Sequence, residues 1–295
     1  VSVALVTPLV ATVVAAAGGL VVHRVVPPAH ATRVLTGITV LAGTAVLAAL
    51  VLVALAGASQ VAVVADLLPW CPSFAGGGHG SSAPAGVAAA AVLVLAAARA
   101  LGYGTRVHRD RRALRHVTGL RVEATSGAVA LAVPGRPGGI VLGSGLLAAL
   151  RPGERAVVIA HERAHLVHRH HRYVHATELL AASIPVLSPL AQRVRLCTER
   201  WADELAARQV GSRRLVARTI AKVAVIDGDR RVTSATLAAS GGETLTRVEA
   251  LLRPHRSRAG ATGSGLIALT VATALVGAVA QAHHLAVFLR HACHL

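Results

Sequence analysis

The sequence predicts a mainly α-helical membrane protein with about four transmembrane helices and one polar α+β domain on the cytoplasmic side. Three observations predict it. The 295 residues are 54% hydrophobic and only 15% charged, with a mean hydropathy of +0.61, a membrane composition rather than that of a soluble domain. Four segments are long and apolar enough to span a bilayer. Of the 30 basic residues, 27 fall between positions 99 and 258.

The spans come first. Val1–Val22 carries no charge, and no basic residue precedes it as a cleaved signal would require, so an uncleaved helix is expected. Val34–Gly57 is equally clean. Ala83–Tyr103 is Ala-rich, with Arg99 near its end able to snorkel, and Gly263–Leu289 has no formal charge. These bound an N-terminal membrane region, 1–103, a polar domain, 104–262, and a C-terminal helix with a short outer tail, 263–295. Arg24 and Arg33 lie between the first two spans, whereas residues 58–98 hold no Lys or Arg. The positive-inside bias therefore places both chain ends outside and the 104–262 domain in the cytoplasm of a multi-pass cell-membrane protein.

Charge narrows the partners. Residues 99–258 hold 27 basic and 12 acidic residues, most of the net +17. Aromatic residues make up 2% of the chain and no nucleic-acid motif accompanies the charge, so direct nucleic-acid binding is not expected. Anionic lipids of the inner leaflet account for the surplus. Cys71 and Cys293 would both face outside and could pair; Cys197 reads as a buried small residue.

Within the polar domain, Gly119–Ala124, Ala128–Val133 and Gly139–Leu142 read as short strands, parted by Ser126-Gly127 and by Pro134–Gly138. Pro152 opens a helix, with Glu154 in its first turn, that nothing stops before about His171. On that helix stands His161-Glu162-Arg163-Ala164-His165. Two imidazoles four residues apart share one helix face and can reach a single zinc ion, with Glu162 beside them as a base. The bland alternative is a basic helix that also carries His168, His170, His171 and His175, read as solvated or favoured by the helix dipole.

A catalytic zinc site takes three protein ligands and an open position. Thirty-four residues beyond His165 comes Glu199-Arg200-Trp201-Ala202-Asp203. Glu199 can supply the third ligand, and Asp203, one turn on, can accept the outer N–H of a ligating histidine. Thr198 is expected to cap this helix and Gly211 to end it. Ser212–Asp227 reads as another helix and Arg230–Gly242 as a Ser/Gly-containing loop.

If Glu199 and the two histidines share one metal, the apolar stretch Val174–Gln192, broken by Pro185 and Pro189, cannot cross the bilayer. One crossing would put Glu199 on the opposite side from the histidines, and 19 residues are too few for two. It is expected to be re-entrant, interfacial or a wall of a substrate groove.

Together the HExxH and ExxAD motifs resemble the gluzincin membrane peptidases, and specifically the BlaR/MecR family, over roughly Gly139–Pro254. Ile140–Leu147 looks like that family's lead-in and Leu245–Leu252 like its closing helix. HtpX and the CAAX-prenyl proteases share both motifs. The resemblance implies a gluzincin-like α+β zinc peptidase domain, with one Zn²⁺ on His161, His165 and Glu199, Glu162 as general base and Asp203 behind the ligands. It also implies a strand beside the active helix that holds substrate extended. The expected activity is a zinc-dependent endopeptidase acting on a cytoplasmic or membrane-proximal protein, such as a BlaI/MecI-like transcriptional repressor. The alternatives are quality control of membrane proteins, as in HtpX, and a zinc-binding signalling protein without catalysis.

Overall fold

A computed structural model of the chain describes residues 26–58, 83–125, 127, 129–228 and 234–253, with side chains in the last stretch from 242, and scattered residues at 17–18 and between 265 and 286. Most of the Val1–Val22 span, residues 59–82, Cys71 and Cys293 lie outside the described residues, as does most of Gly263–Leu289.

Among the described residues two helices, α1 (Pro28–Ala58) and α2 (Ala83–Ala113), are long and apolar enough to cross a membrane. Pro28 opens α1 where a missing N–H costs nothing. Thr32 and Thr39 lie buried in it, their hydroxyls donating back one turn to Pro28 O (2.9 Å) and Leu35 O (2.7 Å). The two helices touch where Gly57 meets Gly86; a Cβ on either would overlap the other's Cα. Small residues let membrane helices approach this closely. Helix α2 continues unbroken past Tyr103 to Ala113.

The three strands form where expected: β1 (Gly119–Glu123), β2 (Ala130–Val133) and β3 (Gly139–Gly143), in the order β1-β3-β2. Central β3 pairs parallel with β1 and antiparallel with β2, and is buried throughout. Ile140 and Leu142 pack with Leu146, Leu150 and Val158, while Val141 packs with Val117 and Val133. That alternation is what a strand covered on both faces requires.

Helices follow: α3 (Ser144–Ala149), α4 (Pro152–Val167), α5 (His170–Ser183), a 3-10 turn (Pro185–Leu187), α6 (Ser188–Val210), α7 (Arg213–Gly228) and α8 (Ser234–Leu252). Three boundaries differ from expectation. The helix carrying HExxH ends at Val167, because Arg169 takes a left-handed conformation (φ 52°) and restarts the chain as α5. Thr198 caps nothing. It is buried mid-helix and donates to Val194 O (2.7 Å), since α6 already begins at Ser188 with Pro189 in its first turn. The loop expected over Arg230–Gly242 is helical from Ser234 on, as Ala235, Leu237, Ala238 and Ala239 are good helix formers. Gly211 ends α6 as expected, at φ 71°.

The stretch Val174–Gln192 forms the turn of the α5–α6 hairpin, which doubles the chain back at Pro185–Leu187. The hairpin packs along α1, where Ala31, Leu35, Ile38 and Ala42 share a core with Ile184, Leu187, Leu190, Val194 and Cys197. Gly43 makes room for Leu180 of α5; a Cβ there would meet its Cδ2 at 2.9 Å. The α5–α6 hairpin and α1 thus share one apolar core.

Candidate metal centre

Four helices bring the site together. Val157 and Ala160 of α4 pack with Ala206 and Ala207 of α6, Val216 and Ala217 of α7, and Leu251 of α8. Small alanines let α4 and α6 lie close, so that residues at the rim of this core meet. Lys222 of α7 ties Glu154 at the start of α4 (2.7 Å). Arg213 donates to Ala250 O (2.8 Å) and Leu251 O (2.9 Å), the last carbonyls of α8, and pairs with Glu204 of α6.

His161, His165 and Glu199 converge with one ligand atom each within 4.8 Å of one another. Tetrahedral zinc with bonds of ~2.0–2.2 Å sets its ligand atoms ~3.2–3.6 Å apart. The separations are 3.0 Å between the two Nε2 atoms, 3.3 Å from His161 Nε2 to Glu199 Oε2, and 3.5 Å from His165 Nε2 to Glu199 Oε1. Two imidazoles and one carboxylate are also the donor types zinc takes at a catalytic centre. The residues fit the ion.

Asp203 stands where expected, with its Oδ1 3.0 Å from His161 Nδ1 and its side chain 1% exposed. Glu162 lies beside the ligands and beside β2. Its carboxylate accepts a hydrogen bond from the Ala132 backbone N–H. Burial raises the Glu162 carboxyl above the usual range, and the nearby His161 pulls against that rise. An elevated carboxyl suits a group that must take up a proton and release it again.

The sequence reading missed Arg247. From α8 it donates through Nε to Asp203 Oδ2 (2.8 Å) and through Nη2 to Oδ1 (2.8 Å), and its Nη1 lies 3.1 Å from Glu199 Oε2. One guanidinium therefore holds both Glu199, a carboxylate of the candidate ligand triangle, and Asp203, the carboxylate behind His161. Burial pushes the Asp203 carboxyl up, but the bonds and charge of Arg247, with those of His161, bring it below its ordinary range; Glu199 is lowered likewise by His161 and Arg247. His161, bonded to two carboxylates, rises to about 10 despite its burial, whereas burial drops His165 to about 4. A metal held by His161 Nε2 would take the place of a proton there, so its binding would be favoured as pH rises. The only hint of Arg247 in the sequence is a lone arginine in Leu245–Leu252, 44 residues from Asp203.

The other expectation to correct is His170. It is not solvated: the residue is fully buried, and its Nδ1 lies 3.2 Å from His165 Nδ1. His175 departs from expectation too: its Nδ1 lies 2.7 Å from the Tyr103 hydroxyl of α2, and because that hydroxyl donates its one proton to Glu178 (2.9 Å), Nδ1 is the donor to it; Glu178 pairs with Arg195.

No curated protein and no solved structure matches the chain. Residues 117–187, from the strand region through the HExxH helix to the hairpin turn, match the model of Peptidase family M48, which supports a metallopeptidase of that family.

Proposed function

We propose that the chain is a membrane-embedded, zinc-dependent endopeptidase that cleaves cytoplasmic or membrane-proximal protein segments. The observation that carries this is the ligand triangle with half-buried Glu162 at its side. A structural zinc site has no use for an added base. Zinc held by His161, His165 and Glu199 would acidify a water toward ~7 and polarise the scissile carbonyl. Glu162 takes the proton and returns it to the leaving amine. Asp203 holds His161 with Nε2 toward the metal.

Substrate would lie along β2. Val129 O accepts from Gly143 N (2.8 Å), so by antiparallel alternation Ala130 and Ala132 turn their backbone groups away from β3. The Ala132 N–H reaching Glu162 agrees with that. An extended peptide added to this edge would pass the ligands.

The peptidase lies on the cytoplasmic side in this reading, with the chain ends outside. Arg106, Arg109, Arg111 and Arg112, exposed where α2 leaves its apolar stretch, suit anionic lipid headgroups. The substrate is a repressor of the BlaI/MecI kind or a damaged membrane protein, and an adjacent winged-helix repressor gene would favour the former. Glu162→Gln is the test: zinc content unchanged, with proteolysis of a candidate substrate in reconstituted membranes down by ~10²–10⁴-fold. A Glu162→Gln protein that complements a deletion strain as wild type does would refute the peptidase and leave a zinc-binding scaffold.

A further inference from the structure

Among the described residues the two candidate zinc-binding histidines are supported in different ways. His161 leans on a carboxylate, Asp203, itself clamped by Arg247. His165 leans on another imidazole: its Nδ1 is 3.2 Å from Nδ1 of His170. We propose that His170 is a positioning residue, whose Nδ1 accepts the Nδ1–H of His165 and fixes His165 as the tautomer that offers Nε2 to the metal. This rests on the zinc centre proposed above.

The hydrogen-bond inventory decides the roles. If His165 Nε2 ligates, the ring's one proton is on Nδ1, and Nδ1 can only donate. A contact of this length between two ring nitrogens needs one donor and one acceptor, so His170 Nδ1 accepts and its own proton sits on Nε2. That Nε2 is buried with no hydrogen-bond partner among the described residues. A buried donor left unpaired is destabilising, and a residue that existed for packing alone would be better as leucine. The orphaned N–H is what the acceptor role requires.

The pocket keeps His170 in that role. Its ring lies 4.6 Å from the Trp201 ring and 5.8 Å from His168, stacked at 23°. Trp201 in turn carries the Arg33 guanidinium of α1, 5.0 Å from its centroid. The left-handed Arg169 makes the bend that turns His170 back toward His165. A neutral acceptor has a chemical consequence as well. The centre already holds Glu199 and Asp203 against one Arg247, and a second outer carboxylate would cancel more of the ion's charge. An imidazole orients His165 without doing so.

The experiment compares His170→Leu, which fills the volume without an acceptor, with His170→Asn, whose amide oxygen can stand near the Nδ1 position. Zinc affinity is read by competition with a chromophoric chelator, coordination by the visible spectrum of the cobalt-substituted protein, and fold by melting of the metal-free protein. His170→Leu should bind zinc ~10–100-fold more weakly with an altered cobalt spectrum, while its metal-free form melts no lower than wild type. His170→Asn should recover affinity and spectrum. Wild-type affinity in His170→Leu overturns the proposal, and so does an Asn variant as weak as the Leu variant. A wild-type protein that takes up no stoichiometric zinc overturns the metal centre itself, which is a separate failure.

Discussion

Replacing Arg247 with methionine tests how the centre is held before any metal arrives. Methionine keeps much of the stem's packing and removes three charge-assisted contacts: two of 2.8 Å to Asp203 and one of 3.1 Å to Glu199. The Asp203 side chain is 1% exposed, so water cannot replace the guanidinium. Removing one partner of a buried pair typically costs ~3–5 kcal/mol. His161, 3.0 Å from Asp203, remains, which places the expectation near the low end, ~3 kcal/mol. At ~2–4 °C per kcal/mol for a folding unit of 150–250 residues, the metal-free protein should melt ~6–12 °C lower. The pH dependence should move as well. A carboxyl depressed in the fold stabilises it above the unfolded pKa, and that contribution is lost as pH falls through the folded value. In the wild type this loss lies below the ordinary Asp value of 3.8. Without Arg247 burial prevails, the Asp203 carboxyl rises, and the variant should lose stability from a higher pH. The assay is thermal unfolding of purified, metal-free protein in detergent, followed by circular dichroism across a pH series. A melting shift under ~2 °C, or an unchanged acid limb, would refute the clamp.

His161→Ala, His165→Ala and Glu199→Ala should each lose stoichiometric zinc by metal analysis; zinc retained by Glu199→Ala would remove the third ligand. Asp203→Asn should lower zinc affinity by ~10–100-fold in chelator competition, and unchanged affinity would deny it a part in holding His161. Gly57→Ala should loosen the α1–α2 crossing and lower detergent stability, whereas Gly37→Ala, whose Cβ would meet nothing within 4 Å, should be neutral or gain ~0.5–1 kcal/mol. Equal stability of the two variants would dispute the close approach. Reporter fusions after residues 115 and 195 should report the same side of the membrane, and opposite sides would break the hairpin and the shared zinc together.

Local chemistry made part of this protein legible in its sequence. HExxH needs only the helix period to bring His161 and His165 together, and ExxAD places Glu199 and Asp203 one turn apart by the same rule. The three strands announced themselves through Gly and Pro punctuation and β-branched runs. The demand that one ion have all its ligands on one side of a membrane led to the expectation that Val174–Gln192 does not cross, and the chain there folds as a helical hairpin. What the tertiary structure decided depends on surfaces that no spacing encodes. Arg247 reaches Asp203 because α8 packs on α6 and α7 and Arg213 holds its last carbonyls. His170 looked like one more surface histidine of a basic segment; a single left-handed residue, Arg169, turns it inward against Trp201 and His165. Thr198 has the side chain of a cap and became a buried mid-helix residue, because where a helix begins is set by what its earlier turns pack against. Periodicity assigns residues to faces of one element, whereas burial, and with it the cost of every unpaired charge, arises only when the elements close on one another.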